Sequence, residues 1–405
     1  MPQEAEDRQR EPESVAYTTL SPSQQHQRLT ELATVFLRLG TIAFGGPAAH
    51  IAMMDEVVVQ QRQWLSREKL LDLIGVTNLL PGPNSTELAI HIGYERVGWR
   101  GLFVAGSCFI LPAMLIVWVL AALYVRYQAV PQLQWLLYGI KPVMIAIVLQ
   151  ALWKLGQKAA KDVPTIIAGL TAVAAYFAGL NEVLLLLLLG LAVMLVKWQR
   201  HGTTAGAFLL PFFGVLSQAG GTAIATVSVS WVSVFLFFLK IGCVLYGSGY
   251  VLLAFLQRDL VERNQWLTSQ QLLDAVAIGQ LTPGPVFTTA TFIGYLLAGN
   301  AGAIAGTLGI FLPAFLLVWL VNPFVPKLRQ SGWASGFLDG VNAASLGLMA
   351  GVTYTLGQTA LIDGLTVVLA ISSAIAVFRF RVNSAWLMLA GGAIGLASHL
   401  LNSAG

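Results

Sequence analysis

Charge is scarce in this chain. Only 10% of its 405 residues are Asp, Glu, Lys or Arg, against 56% that are hydrophobic, and the mean hydropathy is +0.72. A soluble helical core of this size needs far more charge to cover its surface, which excludes that class. Cysteine is scarcer still: Cys108 and Cys243 both lie in apolar segments and supply neither a disulfide framework nor a metal cluster. Five histidines without metal spacing add no ligand set. The chain has no P-loop, no nucleophile elbow and no carboxylate pair at helical spacing, so nothing points to an ATP-driven pump or to a hydrolase. The net charge of +4 is too small for a nucleic-acid face and suits membrane loops instead. Residues 1–29 are polar, rich in Glu, Gln, Arg and Ser, and without an apolar core. They read as a disordered tail rather than a signal peptide, which leaves insertion to the first membrane helix.

What is present is apolar length, and it comes twice. Runs such as 102–123, 163–179 and 183–196 are long enough to cross or nearly cross a bilayer, so the fold class is an all-α polytopic membrane protein. Phe36-Leu37-Arg38-Leu39-Gly40 returns 202 positions later as Phe238-Leu239-Lys240-Ile241-Gly242. The register holds through Gln63-Trp64-Leu65/Gln265-Trp266-Leu267, Leu70-Leu71-Asp72/Leu272-Leu273-Asp274 and Pro81-Gly82-Pro83/Pro283-Gly284-Pro285. After a one-residue slip it continues at Gly93-Tyr94/Gly294-Tyr295 and Leu111-Pro112-Ala113/Leu312-Pro313-Ala314. A first repeat over 30–200, a Gly/Ala/Ser/Thr-rich linker over 201–230 and a second repeat over 231–405 follow. An internal repeat with a helix interrupted at matched places is the sequence pattern of a secondary transporter.

Each repeat is expected to open with a long helix, 30–59 or 231–260, ending near an interfacial tryptophan, Trp64 or Trp266. Two short apolar pieces follow, 68–80 and 84–97 or 269–282 and 286–298, split by Pro-Gly-Pro. Neither piece alone spans a core of about 30 Å at 1.5 Å per residue, so the pair reads as a re-entrant or discontinuous span. Four spans complete each repeat: 101–125, 135–153, 163–179 and 182–198, then 301–321, 333–355, 362–378 and 384–400. The linker, interrupted by Pro211 and Gly214, is expected not to cross. Five crossings per repeat is an odd number, which makes the second repeat inverted. Arg62, Arg67, Lys69, Arg96, Arg100, Lys154, Lys158, Lys161, Lys197, Arg200, Lys327, Arg329, Arg379 and Arg381 then share one side, cytoplasmic by the positive-inside rule, with both termini outside.

Arg38 and Lys240 occupy the same place in the two first helices, about 10 and 15 Å deep. Either they snorkel to the interface on long stems, or they face a cavity as paired counter-charges for an anion. The proline–glycine breaks Pro81-Gly82-Pro83 and Pro283-Gly284-Pro285 favour the second reading. Each is followed by a helix start, Asn84-Ser85-Thr86 or Val286-Phe287-Thr288-Thr289, whose unpaired N–H groups and dipole suit an oxyanion. Asn84, Ser85, Thr86, Thr288 and Thr289 could add side-chain donors to a tetrahedral XO₄ group. A plain surface turn is the competing account of the same residues. Gly45 and Gly46, in Phe44-Gly45-Gly46-Pro47 and echoed by Tyr246-Gly247-Ser248-Gly249, permit close backbone approach for helix packing or for a ligand, packing being the better account. Asp55, Glu56, Glu87, His50 and His91 can carry protons. Glu87, just after a half-helix start, is the best proton-coupling candidate, although capping explains it equally well. Lys141, whose repeat mate is Asn342, is a further basic candidate.

Phe44-Gly45-Gly46-Pro47, Arg62-Gln63-Trp64-Leu65 and the two Pro-Gly-Pro breaks, within a duplicated polytopic chain, resemble the chromate ion transporter family in its long two-domain form. The resemblance covers the chain after the tail. It implies a chromate efflux protein of the bacterial inner membrane that confers chromate resistance, with sulfate as competitor and no cofactor. The second copy departs from the pattern, with Gly-Ser-Gly for Gly-Gly-Pro and Asn264 where Arg62 stands, so the halves are not equivalent. Without a P-loop, transport draws on an ion gradient, as in an antiporter, or on the membrane potential. The alternatives are a transporter or channel for sulfate or another oxyanion on the same fold, and a membrane enzyme acting on an anionic lipid head group, for which no catalytic set is visible. A homodimer is kept open as the assembly.

Overall fold

The computed structural model describes residues 21–78, 80–127, 130–201, 229–246, 251–321 and 332–403, and among these it is helical with no strand. Four helices there are long and apolar enough to cross a membrane: Trp99–Tyr127, Pro131–Ala159, Glu182–Gln199 and Val286–Val321. Large apolar side chains such as Leu115, Leu170, Leu188, Ile371 and Trp386 face outward, as a lipid-facing surface requires.

The first repeat begins with α1 (Pro22–Ile42), started by a capping box at Ser21 and Gln24, eight residues before the boundary expected for the tail. The long first helix expected over 30–59 is not continuous. It stops at Ile42 and resumes after Gly45 and Gly46, whose φ angles are 103° and 79°, as α2 (Pro47–Met54). Only glycine takes such angles freely, and Pro47, having no N–H to leave unpaired, starts the new helix. So Gly45 and Gly46 make a second break, where the sequence suggested mid-helix packing. A π-helical turn (Asp55–Gln61) continues α2. After Ser66 caps it, α3 (Arg67–Thr77) runs to the Pro-Gly-Pro break, and α4 (Asn84–Val97) leaves it.

Both segments fold back on themselves. Arg96, at the end of α4, pairs with Glu31 in α1 at 3.8 Å and lays its guanidinium 4.9 Å from the Trp64 ring. The start of α1, residue 64 and the end of α4 therefore share one end of the bundle. A start of the first helix opposite Arg62 and Arg96 does not hold, and neither does the count of five crossings in which α1 and α2 form one span. The four helices after the hairpins come where the sequence places them: α5 (Trp99–Tyr127), α6 (Pro131–Ala159), the shorter α7 (Val163–Phe177) and α8 (Glu182–His201).

The second repeat uses the same parts: α9 (Trp231–Val244), α10 (Leu252–Leu256) with a π-helical turn (Gln257–Arg263), and α11 (Ser269–Leu281). The helix expected over 231–260 thus also ends early. Trp266 returns to lie 6.0 Å from Phe237. A 3₁₀ turn (Val286–Thr288) precedes α12 (Thr289–Val321), which kinks at Ala298 and Gly299. Then come α13 (Gly332–Ala360), α14 (Gly364–Arg379) and α15 (Ser384–Ser403). Residues 247–250, most of the linker, and Lys327 and Arg329 lie outside the described residues.

The halves interlock: α6 packs on α14 and α15, while α13 packs on α7 and α8. Glycine makes these crossings close. A Cβ at Gly139 would collide with the Gly391 carbonyl, and one at Gly340 would lie 2.7 Å from that of Leu189. At one end Lys161 and Lys197 hold Asp339 at 2.6 and 2.7 Å. At the other Tyr138 donates to Asp363 at 2.6 Å, and Arg258 pairs with Glu182 at 3.0 Å. The end of α8 and the start of α9 accordingly lie at opposite ends of the bundle, contrary to the expectation that the linker between them does not cross.

Candidate anion site at the crossing of the broken helices

The four breaks meet. The Gly82 N–H donates to the Leu245 carbonyl at 2.8 Å, and the Gly284 N–H donates to the Ala43 carbonyl, also at 2.8 Å. Positions 43 and 245 are repeat mates, as are 82 and 284, so each Pro-Gly-Pro turn satisfies the carbonyl that ends the first helix of the other repeat. Such an end carbonyl has no partner inside its own helix. Each turn is also braced by the other repeat's Leu-Pro-Ala alanine. A Cβ on Gly284 would fall 2.5 Å from the Ala113 Cβ, and one on Gly82 3.7 Å from that of Ala314.

His50 extends the junction. Its Nε2 lies 3.1 Å from the Ala43 carbonyl and its Nδ1 3.2 Å from the Ser85 hydroxyl. A carbonyl only accepts, so Nε2 carries the proton and Nδ1 accepts from Ser85. This imidazole therefore ties the α1 break to the start of α4.

The expected site residues divide into groups. Pro81, Gly82, Pro83, Ser85, Thr86 and Glu87 are buried together at the first turn, as are Pro283, Gly284, Pro285, Thr288 and Thr289 at the second. Thr288 and Thr289 turn their hydroxyls back to the Pro285 and Val286 carbonyls at 2.8 Å each, so their protons are engaged. The α-helix also starts at Thr289, after the 3₁₀ turn, rather than at Val286. Asn84 donates to Asn78 at 2.9 Å on the exposed side of the Pro81-Gly82-Pro83 turn, and Gly45, in the other break of this repeat, is exposed while Gly46 is buried. Glu87 is wholly buried with its carboxylate folded over Gly82, and neither carboxyl oxygen has a hydrogen-bond partner among the described residues.

The two matched cations are not brought into contact with each other. Arg38 is exposed on α1 and forms no ion pair among the described residues. Lys240 is ion-paired to Asp259 at 2.9 Å. Lys141 lies deeper: it pairs with Asp274 at 2.7 Å, and Tyr124 donates to the same carboxylate at 2.8 Å. Asp259 and Asp274 had not been singled out. Asp274 was legible as the second copy of Asp72 in a repeated Leu-Leu-Asp, whereas Asp259 faces Val57 across the repeat and carries no such signal.

The family profile described as Chromate transporter matches residues 30–195 and again 232–396. The chain belongs to the chromate transporter family. Among curated relatives, a chromate transport protein of Cupriavidus metallidurans is 32% identical over 383 residues, 92% of this chain and 94% of that protein. One of Pseudomonas aeruginosa is 30% identical over 386 residues, 90% of this chain and 91% of its own. An uncharacterized transporter of Bacillus subtilis, YwrA, is 29% identical over 132 residues, only 33% of this chain but 74% of its own. No solved structure matches. As a member of the chromate transporter family the chain is a membrane transport protein and not an enzyme.

Proposed function

We propose that this chromate transporter homologue is a secondary transporter that exports chromate, a tetrahedral dianion, across the bacterial inner membrane and so confers resistance. The observation that carries the reading is the exchanged pair of hydrogen bonds, Gly82 to Leu245 and Gly284 to Ala43. It is what two inverted repeats related by a two-fold axis through their re-entrant breaks produce, and such a crossing at the midplane is where transporters of this type bind substrate. The helix starts at Asn84 and Thr289, with Gly45, Gly46, Ser85, Thr86 and Thr288 around them, form the oxyanion cradle. Arg38 and Lys240 supply counter-charge on either side of it. Glu87, buried at the junction, is the proton-coupling group.

The end carrying Arg62, Arg96, Lys161 and Lys197 is cytoplasmic on the positive-inside rule. Anion export from there is favoured by about 2.3 kcal/mol per charge per 100 mV of inside-negative potential.

The test is uptake of labelled chromate into everted vesicles, with sulfate, molybdate and phosphate as competitors and the potential clamped on or off. Saturable, sulfate-competed, potential-driven uptake that Arg38→Ala lowers roughly 10- to 100-fold is expected. Movement of another oxyanion without chromate overturns the substrate, and flux that never saturates replaces the carrier by a channel.

A further inference from the structure

The two cations that the repeat places at equivalent positions are in different states, and the difference has a single source. Lys240 Nζ lies 2.9 Å from Asp259 Oδ2 and Arg263 comes within 3.7 Å of the other oxygen. The Asp259 side chain is 5% exposed, while that of Lys240 is one-third exposed. The π-helical turn Gln257–Arg263 brings Asp259 there by folding back along α9. Its counterpart in the first repeat is Val57, which carries no charge, and Arg38 stands exposed with no carboxylate paired to it among the described residues.

We propose that Asp259 is a tethered competitor for the transported anion. Its carboxylate oxygen occupies the place on Lys240 that a substrate oxygen takes, so the second-repeat half of the pathway admits the oxyanion only by displacing it. The first-repeat half has no such competitor and binds at Arg38 directly. This rests on the reading of Lys240 as a substrate counter-charge. A carboxylate suits the part because it presents two oxygens to an ammonium with the same charge-assisted hydrogen-bond chemistry as chromate or sulfate. Because it cannot diffuse away, it sets a threshold for occupancy and speeds release once the anion has passed. The competing account is that the pair only fastens α9 to the π-helical turn.

The experiment is equilibrium binding of labelled sulfate and chromate to the full-length protein in lipid nanodiscs, with melting temperature recorded for each variant. Asp259→Asn is expected to tighten binding about tenfold, the worth of one weak charge-assisted contact. Lys240→Gln combined with Asp259→Asn is expected to abolish that gain. Val57→Asp, which gives Arg38 the carboxylate its mate has, is expected to weaken binding about tenfold, and tests the idea even if Asp259→Asn does not fold. Unchanged affinity in folded Asp259→Asn and Val57→Asp, with binding still lost in Arg38→Ala, overturns the competitor and leaves the transport reading standing. Absence of any oxyanion binding by the wild-type protein overturns both.

Discussion

The first hairpins of the two repeats share a backbone and almost none of its polarity. Both carry a π-helical turn at matched positions, Asp55–Gln61 and Gln257–Arg263, followed by a glutamine held at positive φ, Gln63 at 50° and Gln265 at 51°. Yet the exposed face of α1 bears Thr30, Thr34, Arg38 and Thr41, where α9 bears Val232, Leu236, Lys240 and Cys243. The first repeat offers a polar stripe with an open cation, and the second an apolar stripe with a cation already held by Asp259. Geometry that the crossing needs has been kept in both copies, while charge, which only one face of the membrane needs, has diverged.

The sharpest break in that comparison is the buried pair. Lys141 and Asp274 are each 5% exposed and join α6 of the first repeat to α11 of the second, whereas at the mated positions Asn342 and Asp72 the cation is replaced by a neutral amide. Lys141→Met leaves Asp274 buried with only the Tyr124 hydroxyl. It is expected to cost about 3–5 kcal/mol, read as a fall in melting temperature and in folded yield in detergent. Adding Asp274→Leu is expected to recover most of the loss, because the uncompensated charge is then gone. If Lys141→Met costs no more than Asn342→Leu, the pair does not hold the halves together.

Next comes the contrast between the two matched cations. Arg38→Ala removes an exposed guanidinium with no partner among the described residues, so stability is expected to stay within about 0.5 kcal/mol. Transport is expected to drop roughly 10- to 100-fold in kcat/KM, the worth of one charge-assisted contact. Lys240→Ala costs stability as well: it leaves the buried Asp259 with only the longer Arg263 contact among the described residues and is expected to lower the melting temperature more than Arg38→Ala does. Equal melting temperatures for the two variants would remove the claim that only one cation is locked.

Much of this was legible without coordinates. The repeat, the Pro-Gly-Pro breaks and the eight later helices, four of them long and apolar enough to cross a membrane, follow from apolar length and from residues that cannot continue a helix. The second break was missed because Phe44-Gly45-Gly46-Pro47 lies within 30 apolar-rich residues. Hydropathy there does not distinguish one long helix from a hairpin of the same length, and only the positive φ at Gly45 and Gly46 does. Missing it also displaced the start of the first helix and the crossing count. Asp259 was hidden for another reason: a carboxylate present in one copy only leaves no trace in a repeat alignment, and its partner lies 19 residues away, reached only because the chain doubles back.

The smallest effect tests whether even identical parts have diverged. Asp162 caps α7 and Asp363 caps α14, each bonded to the backbone and hydroxyl of a threonine three residues on. Both carboxyls are held below their ordinary range, for different reasons. At Asp363 the leading cause is the Tyr138 hydroxyl, a neutral donor, helped by the backbone at Thr366. At Asp162 burial pushes the other way, and the Lys197 ammonium together with Thr165 outweighs it. A carboxyl whose pKa is lowered on folding adds stability at pH values above its unfolded value, about 3.9, and that stability is lost as pH falls through the folded value. Both caps should therefore weaken below about pH 4, and Asp162→Asn and Asp363→Asn should each blunt that acid sensitivity. Salt separates them. At 1 M the screening length is about 3 Å, so the Lys197 contribution is weakened and the Tyr138 hydrogen bond is not. The acid sensitivity that Asp162→Asn removes should shrink between low and high salt, while that removed by Asp363→Asn stays constant. Equal salt dependence of the two differences, measured by thermal melts from pH 3 to pH 6, would mean that the caps work alike and that the divergence stops at the first hairpins.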